Sequence, residues 1–356
     1  MKKLLLLISL VSVAQVSFSS CSEDDDDLDR RLSVIIPTEN DGSDGASDSG
    51  NIFGGDSVSV DDNDTTETGL SQKDYMGEVT VTLFGNNSHS HQSAAVFGDY
   101  AFFVTNRRSA LYLYSLRDKR ILCCKNFGAQ NEVTPENFVL YHCNQMTFGV
   151  DYYSPEDPFP LLYISQRYGD DYRCYVEVFR IIPQKESVDA DFSVMDAQLV
   201  QTIYFPQMSE ENSLGNVNCA IDSNSRLMYT YSRNNDKSAE NYRKCKISCF
   251  AIPDIHAEEV FLEDINIKSS FMLGCSALNM QGGCVKDGKL FIGQGSKSAG
   301  YIYLNIVDLK EQKLLTRVDL LASGITWEPE GCFTYNGNIM VSTGKNIWEF
   351  KFANEK

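Results

Sequence analysis

From residue 77 onward the chain alternates short apolar runs with tight polar turns, and almost no stretch repeats at helical period. Residues 93–104, 219–230, 283–293 and 331–341 share one plan: a strand of small or apolar residues, a polar turn, then a strongly apolar strand. Asp287-Gly288 and Asn336-Gly337 predict two-residue hairpins, because a type I′ turn needs positive φ at both central positions. A fifth copy lies between Asn144 and Ser165, where residues 146–149 and 161–165 flank a longer, Pro-rich loop. Third strands follow at 110–115, 174–180, 246–251, 300–308 and 346–352. Clear fourth strands follow at 120–123, 199–204 and 313–319.

A four-stranded unit returning about every 50–70 residues predicts an all-β fold, a β-propeller. Five units of about 56 residues fill positions 77–356. The last unit stops after its third strand, at Phe352, while residues 78–84 form an orphan strand at the start of the body. Pairing the two closes the ring and removes the open edges that invite aggregation. The expected architecture is a five-bladed β-propeller closed by an N-terminal strand. A jelly roll or sandwich is the structural alternative, but neither needs a sequence repeat.

The first 20 residues read differently. Lys2 and Lys3 precede an apolar run at 4–16, and Phe18-Ser19-Ser20 leads to Cys21. This is a secretory signal, too short and wrongly flanked to span a membrane. The cysteine at the cleavage point resembles the lipobox of bacterial lipoproteins, although Phe18 stands where Leu or Val is usual. The resemblance implies acyl (palmitate-type) chains on Cys21, each buried methylene adding roughly 0.8 kcal/mol of membrane affinity. Ordinary cleavage near Ala14 or Ser20 is the alternative. The acidic run at 23–27 resembles the surface-export signal of Bacteroidetes lipoproteins, which implies an outer-membrane protein facing the cell exterior. A solvated spacer on the periplasmic side is the other reading.

Charge sharpens the boundary. The whole chain carries −18, and residues 21–76 hold 16 acidic residues against Arg30, Arg31 and Lys73. This Ser/Gly/Asp-rich stretch cannot bury enough apolar surface to offset its ordering entropy, so it is expected to be a disordered acidic tether. The expected domains are therefore a signal peptide at 1–20, a tether at 21–76 and a propeller at 77–356. Asp61-Asp62-Asn63-Asp64 lacks the ligand spacing of a calcium loop. Asp56-Ser57-Val58 and Asp64-Thr65-Thr66 resemble the Bacteroidetes O-glycosylation sequon. The acidic balance excludes nucleic acid as a partner, since phosphate binding needs Lys and Arg.

The ten cysteines after Cys21 contain no CxxC pair, so no metal site is expected from them. Cys219, Cys284 and Cys332 occupy equivalent first-strand positions and read as small packing residues between blades. Disulfides are permitted outside the cytoplasm, and Cys245 and Cys249 are open to partners. Cys123 and Cys124 point to opposite faces of a strand. His89 and His91 share a strand face, but no third ligand is visible. No cofactor motif is present.

In a propeller the residues entering each first strand line the mouth of the central channel. Here they are His91, Gln92, Asn144, Gln145, Asn216, Asn218, Asn279 and Gln281, then Trp327, Glu328 and Glu330. Converging amides and carboxylates suit a hydroxyl-rich ligand, and Trp327 offers a stacking face. Glu328 and Glu330 are two apart, and close carboxylates push one pKa upward, which suits acid–base chemistry. A mouth that is polar merely because it is wet explains the same residues. The Trp327–Gly331 string resembles an element of several propeller families, and the whole chain resembles secreted Bacteroidetes lipoproteins with a propeller body. That resemblance implies location and fold far more than activity. The expectation is a binding protein for a glycan, peptide or partner protein. The alternatives are an enzyme using the funnel carboxylates (a glycan hydrolase or lyase, or a glutaminyl cyclase) and a structural member of an outer-membrane assembly. No GxSxG, HExxH or phosphate loop favours the enzyme.

Overall fold

The computed structural model describes residues 75–82, 91–105, 110–127, 143–166, 175–188, 190–205, 217–233, 244–277, 279–296, 299–344 and 346–352. The leader, Cys21, nearly all of the tether, His89, Cys174 and Asn216 lie outside these residues.

The protein is an all-β five-bladed propeller. The first strand, β1 (Tyr75–Thr82), belongs to the last blade. Blade 1 is β2 (His91–Phe97), β3 (Tyr100–Thr105), β4 (Ala110–Ser115) and β5 (Arg120–Asn126). Blade 2 is β6 (Cys143–Phe148), β7 (Leu162–Gln166), β8 (Tyr175–Gln184) and β9 (Val194–Tyr204). Blade 3 is β10 (Asn218–Asp222), β11 (Leu227–Arg233) and β12 (Lys244–Ala251), then a detour through β13 (Glu259–Phe261) to β14 (Ser269–Ser276). Blade 4 is β15 (Met280–Lys286), β16 (Lys289–Ser296), β17 (Tyr301–Asp308) and β18 (Lys313–Asp319). Blade 5 is β19 (Gly331–Tyr335), β20 (Asn338–Thr343) and β21 (Asn346–Phe352), completed by β1.

Closure runs through antiparallel pairing of β1 with β21, from Tyr75 opposite Phe352 to Thr82 opposite Asn346, with a bulge between Val79 and Val81. The strand starts three residues before the expected orphan strand, because pairing continues to the end of β21. Both expected hairpins form with both central residues left-handed: φ is 50° and 70° at Asp287-Gly288, and 49° and 80° at Asn336-Gly337.

The core is five separate wedges, one between each pair of neighbouring blades. Alternate residues of one strand feed different wedges. Phe102, Leu111 and Leu113 pack towards blade 2, while Phe103, Tyr112 and Tyr114 pack towards blade 5. A sheet buried on both faces needs apolar residues at every position, which is why these strands read as unbroken apolar runs. Cys123 and Cys124 follow the same rule and pack into different wedges.

Two features fall outside the repeat. The fourth strand of blade 3, β14, arrives only after β13 has crossed to blade 2 and paired in parallel with β9. The Gln201 amide fixes this strap, donating to the carbonyls of Asp254 (2.6 Å) and Ala257 (2.8 Å). The strap covers an outer edge that would otherwise present unpaired backbone groups. The long loop between β6 and β7 is pinned by Arg180, which grips the Asp157 carboxylate at 2.7–3.1 Å and lies over the Tyr153 ring at 4.9 Å.

Candidate functional site

The inner strands β2, β6, β10, β15 and β19 stand side by side around the axis, each touching the next. Because every blade repeats the same up-and-down order, their starting ends gather at one mouth. Residues 327–330 cross this mouth before entering β19.

The segment is wedged tightly. A Cβ on Gly293 would sit 2.6 Å from the Pro329 carbonyl, and one on Gly344 would touch the Trp327 ring at 3.6 Å. Trp327 is 66% exposed, Glu328 is half-buried and Glu330 is 7% exposed. Gln92 of blade 1 donates Nε2–H to Glu330 Oε1 at 3.3 Å, and Gln281 of blade 4 donates to Glu328 Oε2 at 3.4 Å. Two acids thus tie three blades together.

Glu328 and Glu330 lie within reach of each other's charge, and Ser296 lies beside Glu328; Glu330 Oε2 is buried with no hydrogen-bond partner among the described residues. Burial, then the charge of Glu328, pushes Glu330 well above the usual carboxyl range. Burial raises Glu328 too, opposed by the neighbouring Glu330 and Ser296 side chains. The two acids are adjacent rather than facing each other across the channel. That is not the separated geometry of a glycosidase pair.

The other expected residues have distinct places. Gln145 reaches across the axis from blade 2 to blade 4: its Nε2 donates to the Gly283 carbonyl and its Oε1 accepts the Gly283 N–H at 2.8 Å. A side chain at Gly283 would strike the Phe291 carbonyl at 2.7 Å and the Tyr231 hydroxyl at 2.8 Å, so only glycine lets the amide dock. Tyr231 in turn donates to the Gln281 carbonyl at 2.9 Å. Gln145 therefore forms a floor below the acids, with its whole amide engaged. Replacing it with leucine strands the buried N–H and C=O of Gly283; we expect a loss of about 2 kcal/mol, read by urea denaturation.

His91 is fully buried, beside the backbone of Gly344 and edge-on to Phe103 at 5.0 Å. Burial lowers its pKa to about 4, which keeps it neutral. Asn144 and Asn218 are buried on the neighbouring inner strands, and Asn218 Oδ1 has no hydrogen-bond partner among the described residues. The structure thus brings Gln92, Gln281, Trp327, Glu328 and Glu330 into one cluster and places Gln145 beneath it. Among the described residues no group of side chains has the makings of a metal site, and no helix is long and apolar enough to cross a membrane. Ser296 and Tyr231 join the site without any signal in the chain, because nothing in their local sequence separates them from other strand residues.

No family model and no curated protein matches the chain. Among solved structures it is similar to a glutaminyl cyclase of Myxococcus xanthus, at 10% identity and a TM-score of 0.44 over 78% of this chain and 96% of that one. It is similar at 9% identity and the same TM-score to the PQQ-bound aldose sugar dehydrogenase of Streptomyces coelicolor, over 78% and 98%.

Proposed function

We propose that the chain is a lipid-anchored binding protein of the outer membrane, held by acylated Cys21, facing the cell exterior and presenting its propeller mouth on an acidic tether. The ligand we favour is a glycan. One observation carries this: amide–carboxyl pairs (Gln92 with Glu330, Gln281 with Glu328) stand beside the exposed ring of Trp327. Such pairs match hydroxyl groups, which both donate and accept, and the indole face matches the apolar face of a sugar ring.

The test uses the two tryptophans of the chain. Trp348 is held by its Nε1–H on Thr343 Oγ1 at 3.1 Å, so a Trp348→Phe protein leaves Trp327 as the reporter. Titration with a glycan panel should give a saturable blue shift. Trp327→Ala, which lacks the reporter and is titrated by calorimetry beside the unaltered chain, should weaken binding about tenfold or more, as an aromatic anchor does. No shift on any glycan, or full affinity in Trp327→Ala, overturns the reading. A shift with peptides alone keeps the mouth and replaces the ligand.

Two neighbouring acids at the mouth, Glu330 buried and held above the usual carboxyl range by burial and by Glu328, favour a second reading, in which the same pair performs acid–base chemistry on the bound ligand. Glu330→Gln separates the two: an enzyme stays folded and loses turnover, whereas a binding protein changes affinity and shows no turnover before or after.

A further inference from the structure

We propose that Cys284 and Cys332 are the reacting pair of an inter-blade disulfide joining β15 to β19. Their sulfurs lie 3.2 Å apart, within about 1.2 Å of the ~2.05 Å of a formed bond. The backbones are equally close. A Cβ on Gly282 would stand 2.5 Å from Gly331 Cα and 3.0 Å from the Cys332 nitrogen. The two strands therefore already touch beside the point where the sulfurs meet.

Cys245 and Cys275 are also neighbours, buried together on the paired strands β12 and β14, but the sulfur–sulfur contact the structure shows is that of Cys284 with Cys332. Cys219, the equivalent in blade 3, has its thiol against the Ser165 hydroxyl at 3.7 Å. Cys123 and Cys124 face different wedges.

The step is thiol–disulfide exchange with an oxidant that is itself a disulfide, either a small molecule or one carried by an exchange protein. One thiolate attacks the oxidant to form a mixed disulfide and expels the first thiol. The second thiolate then attacks the mixed disulfide and expels the second. Two cysteine thiols are oxidised and one oxidant disulfide is reduced to two thiols, which carry away both protons. Both cysteines are buried in the closed ring, so the exchange belongs to folding, before β19 settles against β15. The bond then clamps the strand carrying Gln281 to the strand that follows Glu330, closing the loop of residues 284–332.

Disulfide mapping tests this directly. The full chain is refolded with oxidised glutathione, denatured without reductant, alkylated and digested. We expect one linked peptide pair containing Cys284 and Cys332, lighter by two hydrogens than the separate thiol peptides. Reductant should lower the melting temperature of this protein by about 10 °C. Cys332→Ala should melt at the lower temperature with or without reductant. Alkylation of both cysteines after oxidative refolding overturns the proposal, as does a linkage of either one to a different cysteine. Should Cys332→Ala fail to fold, the peptide map of the unaltered chain still either contains the linked pair or rules it out. Loss of glycan binding with this linkage intact would count against the mouth alone.

Discussion

Replacing Gly282 with alanine should cost the ring about 3 kcal/mol or more, the upper range for forcing atoms into a filled core. The added methyl would meet Gly331 Cα at 2.5 Å, the Glu330 carbonyl at 2.6 Å and the Cys332 nitrogen at 3.0 Å. All three are backbone atoms, so no side chain can swing aside; β15 and β19 would have to separate. Gly331 is hemmed in on its other side by Ala94 of blade 1, at 2.8 and 2.9 Å from a would-be Cβ, so the strain passes to a third blade. Thermal melts should fall by roughly 6–12 °C. Gly337→Asn is the comparison: it sits at φ 80° with open space around it, so it carries only the backbone strain that asparagine tolerates best, and its melt should fall much less. A Gly282→Ala protein as stable as the parent would show that the inner strands do not pack this closely. Because the Glu330 carbonyl is one of the atoms displaced, any folded fraction should also lose ligand affinity.

Glu177→Gln should stabilise the protein at pH 8 by about 3 kcal/mol and leave it nearly unchanged at pH 4. Glu177 lies on β8 opposite Ile164 and Thr202, and burial raises its pKa from the ordinary 4.5 to about 8. A carboxyl that holds its proton more tightly when folded gives its full stabilisation below pH 4.5. That stabilisation drains away as the pH climbs, because the unfolded chain ionises first, and it is lost by about pH 8. Stability should therefore decline from mildly acidic to mildly basic solution. Glutamine keeps the shape of the neutral acid without the titration, and its urea midpoint should be flatter across this window. Glu330 adds a slope of the same sign, since burial and Glu328 hold its pKa up as well. An unchanged pH profile in Glu177→Gln would mean that the carboxyl is solvated in solution.

What was legible in the chain was local. Asp287-Gly288 and Asn336-Gly337 carry their turn geometry in their own side chains, and the hairpins form there. Unbroken apolar strands such as 101–104 announce burial on both faces. The position of Glu330 before β19 was readable from the repeat, as was its nearness to Glu328. The strap β13 was not, because a three-residue strand that pairs in parallel with another blade leaves no periodicity. Nor was the role of Gln145, whose partner lies 138 residues away.

The sequence alone therefore determined the number of blades, their internal turns and the closing role of the first strand, since each follows from short-range pattern repeated along the chain. Only the tertiary structure decided that Gln145 reaches Gly283 across the channel, that Gln92 of blade 1 and Gln281 of blade 4 grip Glu330 and Glu328, and that two of the cysteines meet. Those outcomes depend on how far five wedges of side chains hold the inner strands from the axis. That distance is set by packing across blades, which no single stretch of residues encodes.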